Sequence, residues 1–237
     1  GPGTVGNGAT LVATVRDVEF SGALTVTNGN AVVTAGDAVD FESTPGVGGL
    51  LSVTNGNATL TGDDIYGEDL KATVDVEAEI ITLVGTSGIG VSTAAFADRL
   101  QIEARTRLDA TTTNSDAQIE NVGGTLVIGL IDLGSGDLEL LSSAGGIDSA
   151  TDDGTADITA ATVSLEATVG GIGQGSVLDV TATTELNADT DAGDDGNIAI
   201  DSIGDATVGL VDAGAGDVTL DSTGDIDSTT DDGTADV

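Results

Sequence analysis

The chain repeats itself, and its shortest period is too short for most helical repeats and too regular for a sandwich. LTVTNGNAVVT, beginning at Leu24, returns as LSVTNGNATLT from Leu51; GLIDLGSGDLEL, from Gly129, returns as GLVDAGAGDVTL from Gly209. The second pair runs on into IDSATDDGTADI, from Ile147, and IDSTTDDGTADV, from Ile226, which makes it a long repeat. Beneath it lies a 20-residue recurrence of an apolar-x-apolar pair, at Leu138/Leu140, Ile158/Ala160, Leu178/Val180, Ile198/Ile200 and Val218/Leu220. Leu100/Ile102 and Ile119 continue the series backward within a residue. Helical repeats are mostly longer than this, and a unit so short can bury its apolar face only by stacking on the next.

Within each unit apolar residues alternate with polar ones, as in Val218-Thr219-Leu220-Asp221, so one strand face is buried and the other wet. Glycine corners recur at Gly88-Ile89-Gly90, Gly145-Gly146-Ile147, Gly170-Gly171-Ile172 and Gly224-Asp225-Ile226. No capped stretch of 3.6-residue periodicity is present, and Thr, Val, Gly and Asp all disfavour helix. The expected fold is therefore all-β: a parallel β-solenoid of about 20-residue coils, roughly a dozen turns and on the order of 55 Å long. A strict 20-residue register would stack Leu138, Ile158, Leu178, Ile198 and Val218 in one internal column. It would also set Asp137 against Asp157, and make Val237 the counterpart of Ile158 at the start of a further coil.

Composition fits this core. The 237 residues include no Cys, Trp, Met or His and only three Phe, yet 39% are hydrophobic, mainly Ala, Val, Leu and Ile. The aliphatic and Thr content argues against disorder. Against 41 Asp and Glu stand only Arg16, Lys71, Arg99, Arg105 and Arg107, a net charge of −36. That charge excludes nucleic acid and anionic membrane as partners, and suits strong salt and multivalent cations. Without Cys the fold is indifferent to redox compartment. No apolar run of membrane-spanning length occurs, and the N-terminus has neither the basic nor the apolar region of a signal peptide. Gly1-Pro2 reads as the remnant of a cleaved expression tag, so residues 1–3 are set apart. Residues 4–237 are read as one solenoid fragment of a longer protein, with less regular coils over 4–80 and regular ones over 81–237.

TVSLEATVGGIG, VLDVTATTELNA, NIAIDS, GDVTLDS and GDIDS together resemble the repeats of large filamentous-haemagglutinin-type adhesins and related secreted bacterial exoproteins. The resemblance covers roughly Thr73 to Val237 and, more loosely, the N-terminal third. It implies a right-handed parallel β-helix exported to the cell surface, serving as the structural or adhesive shaft of a protein that attaches to cells, surfaces or matrix. The acidity departs from ordinary members of that family.

Catalysis fares poorly: with no His and no Cys, Ser-His-Asp, Cys-His and His-ligated zinc sites cannot be built. Carboxylate pairs at Asp63/Asp64, Asp152/Asp153, Asp194/Asp195 and Asp231/Asp232 leave a carboxylate-based, polysaccharide-acting enzyme as the alternative. That enzyme would need a sugar-binding cleft, and Tyr66 is the only Tyr. The expectation is no enzyme and no required cofactor. Calcium is the sharper ligand hypothesis, at Asp189, Asp191, Asp194 and Asp195, where carboxylates alternate with small residues around glycine. A weaker candidate runs from Asp225 to Gly233, weaker because Ile226 should point inward. Thr111-Thr112-Thr113 and Thr181-Ala-Thr183-Thr184 raise ice binding, but do not recur at every turn. Self-association through cation bridges between envelope or matrix proteins is the remaining partner reading, with no membrane insertion.

Overall fold

The computed structural model describes residues 3–41, 49–67, 74–90, 99–190 and 196–229. Within them lie twenty strands, from Gly3–Val5 to Ile226–Ser228, and no helix. All the strand pairings are parallel and join one coil to the next. The result is a β-solenoid of about 9 turns of about 23 residues, a stack on the order of 40 Å long. The alternation read from the sequence is what builds it: Ala117–Asn121 and Ile198–Ser202 bury every second residue.

Two internal columns trace the stack. One runs Val18, Val39, Ile65, Ile89, Ala117, Leu138, Val163, Leu186, Val208. The other runs Leu11, Val33, Leu60, Leu83, Ala110, Ile131, Ile158, Val180. Most of these side chains are fully buried. Near the N-terminal end Phe20 and Phe41 stack with ring centroids 4.7 Å apart, providing the bulk that Val and Ala supply elsewhere.

This corrects the 20-residue register. Leu138 pairs with Val163, Ile158 with Ile131 and Val180, and Leu178 with Ile200; only Ile198 and Val218 are neighbours as expected. Along the first column the step is uneven, short from Ala117 to Leu138 and longest from Ile89 to Ala117. The coils are thus longer and fewer than the apolar pairs suggest, about 9 turns in place of a dozen. The reason is that each coil carries more than one alternating strand, so a recurring apolar-x-apolar pair need not return to the same face. Asp157 accordingly lies one coil from Asp179, not beside Asp137. Val237 lies outside the described residues.

The long repeat is real in local structure. Leu126–Asp132 and Ala206–Asp212 share one burial pattern. Each leads into the same turn: Asp132 Oδ1 accepts from the Gly134 N–H at 3.1 Å, and Asp212 Oδ1 from the Gly214 N–H at 2.8 Å. Both glycines are left-handed, at φ 59° and 58°, a conformation costly for any residue with a Cβ. Yet Ile128 stacks on Leu108 whereas Val208 stacks on Leu186, in a different column. The long repeat is therefore not a whole number of coils, and one motif serves two faces.

Candidate functional site

Asp and Asn recur at the corners because their side-chain oxygens bind the backbone of the following coil. Asp116 Oδ1 accepts from the Asp137 N–H at 2.9 Å, and Asp137 Oδ1 in turn from the Thr162 N–H at 2.9 Å. Asn30, Asn114, Asn197 and Asp205 do the same for Asn57, Ser135, Asp217 and Asp225. These corner N–H groups face solvent, and an oxygen one strand spacing below gives each a protein acceptor in place of water. Inward-facing hydroxyls act similarly on carbonyls: Ser149 Oγ donates to Thr151 O at 2.7 Å and Thr190 Oγ1 to Gly196 O at 2.9 Å. Much of the Asp and Asn is therefore structural.

Of the calcium candidates, Asp189 lies near the end of the strand Leu178–Thr190, in register between Glu166 and Asp212. Asp191, Asp194 and Asp195 lie outside the described residues, as do Asp231 and Asp232. Among the described residues no group of three or more acidic side chains is placed to hold a metal ion. In the weaker candidate the Asp225 N–H is occupied by Asp205, and Ile226 shares the core-facing column of the buried Ala206, as expected, though it is itself 53% exposed. It pairs with Ala206 on one side, and no described strand covers the other. Thr111 stacks between Val84 and Asp132, so no rank of threonines forms there.

The perturbed carboxylates lie on another flank. Asp179, Asp201 and Asp221 are in-register neighbours on three successive coils. Asp157 and Asp179 are buried, at 3% and 1% exposure. Loss of hydration raises the carboxyls of Asp157, Asp179 and Asp201 above the ordinary value, and like charge from their neighbours adds to this. Hydrogen bonds oppose it in part, the Asp179 N–H at Asp157 and the Gly154 N–H at Asp179. Asp153, by contrast, is held low by the side chain and backbone of Thr155. Burial also raises Asp64, and pushes Tyr66, which bonds it, up to about 12.

An open groove of about 540 Å³ crosses successive coils. Its floor is a row of in-register polar side chains, Gln118, Glu139, Ser164 and Asn187. Beside it runs a second row of Leu141, Glu166 and Asp189, with Arg99 paired to Glu139 at one end and Leu210 at the other. Bulges at Ala160/Thr162 and Leu186/Ala188 break the pairing beside this row and turn the side chains. The groove holds carboxylates but no aromatic ring. The members of its floor are unevenly spaced along the chain, so the 20-residue register does not reveal them.

Comparison with known proteins finds no matching family model, no matching curated protein and no matching solved structure.

Proposed function

We propose that this chain is a shaft segment of a large secreted or cell-surface repeat protein, one that serves attachment to cells, surfaces or matrix. The observation that carries the reading is the recurrence of the corner clasps along the stack. Carboxylates and amides on coil after coil hold the next coil's backbone, from Asn30 to Asp205, instead of converging on one reacting centre. A continuous parallel ladder with such clasps resists bending and shear along its length, which suits a spacer. The charge of −36 keeps such a rod soluble and favours an extracellular, salt-rich setting. The resemblance of its repeats to those of filamentous-haemagglutinin-type adhesins points the same way.

The polysaccharide-acting alternative gains little. The carboxyls that burial shifts upward, Asp64, Asp157, Asp179 and Asp201, do not line the groove. The carboxylates that do line it have no aromatic platform beside them.

The test is antibody labelling of the source cells. An antibody raised against this chain should decorate intact, unpermeabilised cells, and the purified chain should release no reducing ends from a panel of polysaccharides. Labelling only after permeabilisation would overturn the surface assignment; turnover of any polymer would restore the enzyme.

A further inference from the structure

The geometry points to the groove as a binding site for an extended, lysine-rich polypeptide segment. The inference stands apart from the shaft reading, since it concerns one flank of four coils whatever the full protein does.

Three features of the groove select this ligand. First, Gln118 Oε1 is buried at its floor and accepts no hydrogen bond among the described residues, so the site is short of a donor. A buried acceptor left without a partner costs free energy, which a ligand N–H would recover. Second, the floor row alternates amide, carboxylate, hydroxyl and amide groups along three strand spacings, roughly 14 Å. About four residues of extended peptide span that length; Asn187 is held by Leu210 and Glu185, and Glu139 by Arg99, which leaves Gln118 and Ser164 to exchange hydrogen bonds with a peptide backbone. A free polyamine supplies donors only.

Third, the second row sets an apolar surface beside charge. Leu210, 46% exposed, supplies most of the apolar surface at the far end, while Leu141, before Glu166 in register, is only 9% exposed. A lysine side chain has that same division, a methylene stem that packs on Leu and an ammonium that seeks a carboxylate. The one basic residue in the lining, Arg99, is paired with Glu139, so those two charges cancel and the net attraction for a cation comes from the other carboxylates. With a net charge of −36, the surrounding field draws such a segment in.

A chain this acidic binds any polycation loosely, so the test must separate the groove from the field. The long repeat provides the control. Leu130 and Asp132 occupy the positions equivalent to Leu210 and Asp212, on another face and 44% exposed at Leu130. Pentalysine is titrated into the protein at about 150 mM salt, where the Debye length is ~8 Å. The expected result is a saturable one-to-one isotherm, weakened about tenfold by Glu166→Gln with Leu210→Ser. The matched pair Asp132→Asn with Leu130→Ser should change it less than twofold. Gln118→Leu, which removes the orphan acceptor without changing charge, should weaken it about threefold. Equal loss in both paired variants, or no saturable binding, overturns the proposal. Spermine binding as tightly as pentalysine and lost in the same groove variant would overturn the polypeptide as ligand.

Discussion

Asp157 Oδ2 accepts a 2.9 Å hydrogen bond from the backbone N–H of Asp179, one coil further along, and both residues are almost wholly buried. Asp179 then faces Asp201 in register, and Asp201 faces Asp221. The corner chemistry that joins the coils thus stacks carboxylates at strand spacing where water is scarce.

That stacking has a consequence for pH. The carboxyls of Asp157, Asp179 and Asp201 are raised above 3.8 in the fold, chiefly by lost hydration. A group that holds its proton more tightly folded than unfolded weakens the fold above its folded pKa. That stability returns as pH falls through the folded pKa, and the gain is complete below the unfolded value. The thermal midpoint should therefore rise as pH is lowered from 7 toward about 4. Asp179→Asn, which keeps the acceptor for the Gly154 N–H, should raise the midpoint at pH 7 by a few degrees and flatten this dependence. A midpoint that falls on mild acidification would contradict the assignment.

The clasps can be separated from charge by paired substitutions. Asp116→Ala removes the acceptor of the Asp137 N–H and should cost about 1–2 kcal/mol in denaturant titration, whereas Asp116→Asn keeps it and should cost only a few tenths. Equal losses in the two variants would mean that the negative charge, and not the oxygen, is what the corner needs.

The register can be checked directly, because the chain contains no cysteine. Glu139 and Ser164 are in-register partners on adjacent coils, so Glu139→Cys with Ser164→Cys should oxidise to an intramolecular disulfide. Glu139→Cys with Thr159→Cys, the pair a 20-residue step would select, should stay reduced, since Thr159 partners Asp132 and Thr181. The opposite pattern would restore the shorter coil.

The fold class was legible because alternation and glycine corners are local signals, each written within one strand and its turn. The face was not. Leu126–Asp132 and Ala206–Asp212 are near-copies with one burial pattern and one Asp-Gly turn, yet they stack on different columns. Which face a strand joins depends on the total length of chain between coils, and stretches such as Thr151–Asp157 lengthen that chain without disturbing the pattern on either side. The groove was hidden for the same reason. Gln118, Glu139, Ser164 and Asn187 share no motif and meet only when coils of unequal length close. Asp and Asn were conspicuous in the sequence, but as candidate ligands; that Asp116, Asn197 and Asp205 bind backbone required the register to be known.

The response to salt follows from the carboxylate rows. Glu166, Asp189 and Asp212 form one in-register row and Asp179, Asp201 and Asp221 another. Two unit charges one strand spacing apart, ~4.8 Å, repel by about 0.9 kcal/mol even in water, and by more where solvent is partly excluded. The five basic residues cannot offset this. Arg99, Arg105 and Arg107 pair with Glu139, with Glu77 and Glu103, and with Asp109, none of them in the row of Asp179, Asp201 and Asp221. At 0.01 M salt the Debye length, ~30 Å, approaches the length of the solenoid and the whole surface repels itself; at 1 M it is ~3 Å and only the nearest pairs still interact. The thermal midpoint should therefore climb steadily with sodium chloride between these limits. Asp201→Asn, which removes the middle charge of its row, should raise the midpoint in dilute buffer and shrink the climb. Calcium chloride at matched ionic strength then separates screening from binding. A further rise that Asp191→Asn with Asp194→Asn abolishes would assign calcium to the segment from Asp189 to Asp195, whereas coincident curves would remove it. A midpoint indifferent to sodium chloride would mean that the rows carry too little of their charge to matter, and the salt-adapted reading would fall with them.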